Sequence, residues 1–266
     1  MAILKHIASK NADYGEAQRY LMFQYDEDTN KPLLDENGEL LPRKEYIMDG
    51  INCDPFTFDM ECRELNALYH KNESYDDVKS HHYIISFEPK DVTENGLTGE
   101  QAQQIGLEYA RKNFPGHQAL VCTHMDGHNE SGNIHVHIVI NSLRKYDVER
   151  QDFMERACDF RAGYKHHVSK DYLTHLKQSL MDICHREHLH QVDLLVPAEK
   201  KITDREYRAK QRGQKKLDER NRQIIADGLT PRKTVFQTQK EFLRNAIMEA
   251  AASSCSLEEY QKLLLE

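Results

Sequence analysis

The spacing of apolar positions changes period several times along the chain, and each change marks an element. Residues 2–7 are a short apolar run that predicts a first strand. Residues 11–24 follow, with Tyr14, Ala17 and Leu21 at helical spacing, and predict a helix. From 25 to 55 the chain turns polar. DEDTNKP and DENGE are turn sequences, with Asn37-Gly38 suited to a hairpin tip. A second helix is predicted over 57–71, where Phe58, Cys62, Leu65 and either Leu68 or Tyr69 form an apolar stripe.

Residues 81–87, HHYIISF, read as a strand closed by Pro89. Thr98 and Gln101 form a capping-box pattern that opens a helix running to about Phe114, where Pro115-Gly116 ends it. Residues 119–124 and 134–141 are β-branched runs joined by a polar loop with no helix between them, so antiparallel neighbours are expected. A long helix is predicted over 169–188. Capping boxes at Thr203/Glu206, Thr238/Glu241 and Ser256/Glu259 then divide the last third into helices. With no internal repeat, strands clustered before Asn141 and helices dominant after it, the fold class is α+β. An antiparallel β-sheet carries packed helices and is followed by a C-terminal helical annex. The expected domains are 1–195 and 196–266.

Composition narrows the class. The 266 residues suit one large or two small domains. At 39% hydrophobic and 30% charged, no run approaches 18 apolar residues, so no membrane segment is expected. The start, MAILKHIASK, lacks a secretory signal pattern. Six cysteines without a C-x-x-C argue against a zinc knuckle or disulfide scaffold and point to a reducing cytoplasm. The final LEEYQKLLLE stops while still helical, as the cut end of a longer protein or a frayed terminus would. Charge is unevenly spread within a total of −8. Residues 1–80 hold 9 Lys+Arg against 17 Asp+Glu, a net of −8, whereas 200–244 hold 14 against 6, a net of +8. That basic segment is either a grip for a polyanion or a solvated, salt-bridged helix.

The stretch HMDGHNESGNIHVHIVIN, residues 124–141, carries the chemistry. On a strand alternate side chains share a face, so Ile134, Val136, Ile138 and Ile140 point one way and His135, His137, Val139 and Asn141 the other. The preceding strand ends at His124, which brings a third imidazole beside the pair. Three histidines from two adjacent strands could hold a metal and leave its other positions open, the form of a catalytic site. A single strand histidine is ordinarily a surface or half-buried residue, and only the company of three changes that. Asp126 would orient a ligand imidazole, accept a proton, or simply form the turn. His128 reads as a solvated loop residue.

The arrangement H-x-D, eight residues, then H-x-H-x-x-x-N resembles the histidine motif of relaxases, the DNA-nicking HUH endonucleases of conjugation. It is most similar to the MobP class of conjugative transposons and mobilisable plasmids. KHI near the start, A-x-x-Y-L in the first helix, HHYIISFEP, LTGEQAQQIG and THMDGH share the likeness, which covers roughly 1–190. The resemblance implies a metal-dependent DNA strand transferase with a nucleophilic tyrosine near the N-terminus. Tyr20-Leu21, leading into the charged turn after Tyr25, fits that context, with Tyr14 as the other candidate in the same helix. The tyrosine would attack a phosphodiester at a transfer origin, leaving a 5′-phosphotyrosyl adduct and a free 3′-OH, and the reverse reaction would religate the strand. The metal's field, or Asp126 as proton acceptor, would activate the tyrosine, and His124, His135 and His137 are the expected ligands of Mn²⁺ or Mg²⁺; imidazoles alone would suit other transition metals.

DNA contacts are expected from Asn141, from Arg161 and Lys165 in RAGYKHH, and from Arg205, Arg208, Arg212, Lys215 and Lys216 after Thr203. Asn141 also has a bland reading as a polar strand end, and RAGYKHH one as a loop. The implied partners are single-stranded and hairpin or duplex DNA at the transfer origin, accessory relaxosome proteins and a coupling protein. A bacterial cytoplasm is the expected location, with transfer to the recipient while bound to DNA. Two rivals remain: a rolling-circle replication initiator with the same chemistry, and a DNA-binding module whose histidines are structural. A nucleotide-binding histidine-triad protein is disfavoured because Val139 stands where its third alternating histidine would be.

Overall fold

A computed structural model describes residues 2–26, 29, 31–125, 133–196 and 202–265. Two compact units emerge, Met1–Val196 and Pro197–Glu266. In the first unit the elements are β1 (Ile3–Ser9), α1 (Tyr14–Met22), β2 (Tyr25–Asp26), β3 (Lys31–Pro32), β4 (Tyr46–Ile51), α2 (Phe58–Tyr69) and β5 (Ser80–Ser86). They continue with α3 (Pro89–Glu94), α4 (Gly99–Asn113), β6 (His117–His124), β7 (His135–Arg144) and α5 (Lys170–Arg186). The second unit holds α6 (Asp204–Ala226), α7 (Gln239–Ser253) and α8 (Leu257–Leu265).

Five strands form one sheet in the order β1-β5-β7-β6-β4, and each neighbouring pair is antiparallel. β6 and β7 are buried along their whole length, because helices cover both faces of the sheet's centre. On one face Val121, Val136, Ile138 and Ile140 pack with Tyr83, Ile85 and the inner residues of α4 and α5. Helix α4 lies so close to the sheet that a Cβ on Gly106 would come within 2.4 Å of a Val136 methyl. Gly116, at φ +76°, makes the turn from that helix into β6. The other face carries a smaller cluster, where Leu120, Cys122 and Val139 lie under Tyr14 and Leu21 of α1 and Phe58 and Cys62 of α2.

Helix α1 starts at Asp13, whose carboxylate accepts from Gly15 N, and Tyr14 pins it to the sheet. The Tyr14 hydroxyl donates to the Lys79 carbonyl (2.9 Å) and accepts from Asn66 Nδ2 (2.8 Å), joining α1, α2 and the start of β5. The capping box at Thr98 and Gln101 is complete. At the starts of α6 and α7 the Thr203 and Thr238 hydroxyls accept from Glu206 N and Glu241 N. The two glutamate side chains instead cross between these helices, Glu206 to Arg244 (2.7 Å) and Glu241 to Lys210 (2.6 Å).

Two elements depart from the sequence expectation. The polar stretch 25–55 contains β4, an edge strand paired with β6, and Pro89 opens the short helix α3 instead of only closing β5. Among the described residues no helix is long and apolar enough to cross a membrane.

Candidate active site

The register of the central strands assembles the histidines. His124, the last residue of β6, lies opposite His135 on β7, and Cys122 lies opposite His137. The three imidazoles therefore share the sheet face that α1 covers. Their ring centres are 4.6 Å (His124–His137), 4.8 Å (His135–His137) and 5.1 Å (His124–His135) apart. One nitrogen from each lies within 4.8 Å of the others, so the trio could hold a metal ion.

Hydrogen bonds fix how each ring presents itself. His124 Nε2 is 2.8 Å from the Leu21 carbonyl, which can only accept, so the proton sits on Nε2 and Nδ1 keeps its lone pair. His135 Nδ1 meets the Asn133 carbonyl at 3.1 Å, which leaves the lone pair on Nε2. His137 Nδ1 is 2.8 Å from Nε2 of His82 on β5. Nδ1 of His124 and Nε2 of His137 are buried polar atoms with no protein partner, an arrangement costly for bare imidazoles and natural for metal ligands. Burial above all, with the nearby charge of Arg43 and the other rings, pushes His124 down to about 2 and holds His137 well below the ordinary imidazole value. Both are neutral at physiological pH, the form in which imidazole binds metals.

Tyr20 stands beside this group. Its half-buried ring meets His137 edge-on at 5.7 Å and His82 at 6.5 Å between centres. Arg43, which no motif singled out, places its guanidinium carbon 6.0 Å from the centre of the Tyr20 ring. A strap of backbone bonds carries it there: Arg43 N donates to the Met22 carbonyl and Gln24 N to that of Leu41, fastening 41–43 to the end of α1. Tyr14, by contrast, is buried in the network that anchors α1, and burial raises its phenol above the ordinary range.

The remaining expected residues scatter. Asp126 and His128 lie outside the described residues. Asn141 is fully buried; its Nδ2 donates to Gln118 Oε1 at 3.1 Å and its Oδ1 accepts from Leu143 N. Asn141 shares the histidines' face, at the end of it that Tyr14 and α2 cover. Lys165 pairs with Asp77 at 2.5 Å, and Arg161 is exposed with its guanidinium 5.5 Å from the Phe160 ring. Lys165 bridges to Leu143, about 26 Å along β7 from His135 at about 3.3 Å per residue. In the second unit Arg205, Arg208, Arg212, Lys215 and Lys216 lie along α6. At helical spacing they lie opposite Glu206, Lys210, Gln214 and Asn221, whose side chains bond to α7 and to the segment before it.

Comparison with known proteins bears on this geometry. Residues 37–189 match the family model described as relaxase, MobA/VirD2-like nuclease domain. Two proteins of Staphylococcus aureus named Protein rlx are 34% identical over 139 residues and 30% identical over 167. The matches cover 52% and 62% of this chain but only 35% and 41% of those relatives, so the chain spans well under half their length. Among solved structures, one described as the molecular basis of vancomycin resistance transfer in Staphylococcus aureus shows 14% identity and a TM-score of 0.40, covering 70% of this chain and 92% of that one. Another, the conjugative relaxase TrwC in complex with oriT DNA in a metal-bound structure, shows 11% identity and a TM-score of 0.36, covering 99% and 98%.

Proposed function

The chain belongs to the relaxases with a MobA/VirD2-like nuclease domain, and on that footing we propose that it nicks one DNA strand at a transfer origin through Tyr20. The observation that carries this reading is the edge-on approach of Tyr20 to His137 within a three-histidine centre that could hold a metal ion. The Tyr20 hydroxyl oxygen attacks phosphorus, and the bond from phosphorus to the 3′ oxygen breaks. The phenolic proton passes to a base, for which Asp126 is the candidate, and the departing oxygen takes up a proton as a 3′-OH. The 5′ end stays on Tyr20 as a phosphodiester, so attack by a 3′-OH reverses the step and religates the strand.

His124, His135 and His137 are the residues that would hold a divalent cation, Mn²⁺ or Mg²⁺. When bound, such an ion supplies positive charge against the phosphate oxygens and lowers the repulsion an incoming nucleophile meets. The chain's own part is orientation. The Leu21 and Asn133 carbonyls hold two of the rings in the tautomer that offers a lone pair, and Leu21, the residue after Tyr20, ties His124 to α1. A phenol with the ordinary pKa of about 10 is mostly protonated at neutral pH, so the attack needs a base or a nearby positive charge.

The unit Pro197–Glu266 is read as a DNA-binding extension whose basic α6 face grips duplex or hairpin DNA beside the nick, with Arg161 as a further phosphate contact. Accessory relaxosome proteins, a coupling protein and a cytoplasmic site of action belong to the same proposal. The test uses labelled single-stranded origin DNA with Mn²⁺ or with EDTA, run on a denaturing protein gel beside Tyr20→Phe. A metal-dependent protein–DNA band that the variant lacks is the expected result. A band that survives moves the nucleophile to another tyrosine. Cleavage without a covalent band means hydrolysis and overturns the reading.

A further inference from the structure

His82 lies on β5, opposite Val139 in register, and belongs to none of the ligand positions. Its Nε2 is 2.8 Å from Nδ1 of His137. A neutral imidazole has one N–H, so His137 can offer Nε2 to a metal only if the proton sits on Nδ1 and meets an acceptor there. For His124 and His135 the corresponding group is a backbone carbonyl, which accepts and never donates. For His137 it is another imidazole, which can do either. If His82 accepts, His137 Nε2 carries a lone pair toward the other two rings. If His82 donates, the proton moves to His137 Nε2 and the third ligand is lost. The same His82 ring also stands 6.5 Å from that of Tyr20, at 73°.

We propose that His82 is a positioning residue: by accepting from His137 Nδ1 it holds that ring in the metal-ligating tautomer and braces Tyr20 against it. The proposal rests on the reading of the triad as a metal centre. It assigns to His82 a proton on its own Nδ1, and makes this bond the one of the three ring contacts whose direction metal binding selects.

The experiment takes the full 266-residue chain stripped with EDTA and titrates it with MnCl₂ by calorimetry, comparing wild type, His82→Phe, His82→Gln and His135→Ala. His82→Phe removes the acceptor and is expected to weaken Mn²⁺ binding about 10- to 100-fold, the size of effect typical for such partners. His82→Gln, whose amide oxygen accepts, is expected to restore most of the affinity. Ring ¹⁵N NMR of the metal-loaded wild type with a diamagnetic ion, Zn²⁺, should show His137 protonated on Nδ1. Wild-type affinity in His82→Phe, alongside weakened binding in His135→Ala, overturns the proposal. So does a proton on Nε2 of His137 in the loaded protein, which decides the matter even if His82→Phe fails to fold. Equal affinity of wild type and His135→Ala instead sinks the metal reading of the triad.

Discussion

The ring of Tyr20 stands edge-on to the imidazole of His137, ring centres 5.7 Å apart and planes at 82°. Tyr14, six residues earlier on the same helix, faces the core, where its hydroxyl joins α1 to Asn66 and the Lys79 carbonyl. The two tyrosines should therefore separate cleanly on mutation. Tyr20→Phe is expected to abolish the covalent DNA adduct while leaving the urea midpoint nearly unchanged. Tyr14→Phe is expected to keep the adduct and lose about 1–3 kcal/mol of stability, the cost of buried polar groups left unpaired. An adduct in Tyr20→Phe, together with none in Tyr14→Phe, would reverse the roles.

The lone pairs at the histidine centre bear on stability as well as chemistry. A metal that binds the folded state and not the unfolded one stabilises it by about 2.7 kcal/mol at 100 times its dissociation constant. Adding Mn²⁺ to the EDTA-treated protein should raise its melting temperature, and His124→Ala or His135→Ala should cancel the rise. A rise of the same size in both variants would place the bound ion elsewhere.

Much of this centre was legible in sequence. Alternation along a strand puts His135 and His137 on one face whatever the rest of the fold, and a turn-linked antiparallel strand brings His124 beside them. What pattern could not give was anything that depends on strands distant in sequence. His82 reads as an ordinary strand histidine until β5 pairs with β7 and brings it to His137. Arg43 sits in a turn-rich stretch and reaches Tyr20 only through the strap on α1. β4 hides because YIMDGI has an Asp-Gly near its end and, as an edge strand, pairs on one side alone. Alternation assigns Asn141 to the histidines' face, but only the fold shows that Tyr14 closes that end of it.

The exposed cations of α6 make a separable prediction. Replacing Arg208, Arg212, Lys215 and Lys216 together by alanine should weaken binding to hairpin DNA across sequences. The slope of log affinity against log salt should fall by about 0.9 for each duplex phosphate that the variant no longer neutralises. Fluorescence anisotropy between 50 and 200 mM salt (about the range where counterion release is well resolved) measures this directly. Adduct formation on a short single strand should be unaffected, since those residues lie outside the unit that carries Tyr20. Unchanged hairpin affinity would return α6 to a solvated, salt-bridged helix.

A second set of histidines, on the sheet face away from the metal candidate, makes acid a threat to the fold. His81 and His117 are buried, and each lies against His166, with ring centres 4.8 Å and 5.2 Å away. Burial pushes both down to about 3, helped by His6, once it is protonated, and Lys165 facing His81 and by Arg144 facing His117. In the folded state they stay neutral well into acid, whereas the unfolded chain takes up their protons below about pH 6.5. The unfolded state therefore binds more protons, and stability falls as pH drops through that value and keeps falling toward 3. At pH 5 the loss is about 2 kcal/mol for each of the two. His117→Asn can still donate to the Asn141 carbonyl, which His117 Nδ1 meets at 2.9 Å, but it cannot titrate. Urea unfolding in EDTA at pH 7.5 and pH 5 should show the variant losing about 2 kcal/mol less than wild type. Equal losses would mean that His117 protonates as easily folded as unfolded, and that acid sensitivity arises from other groups.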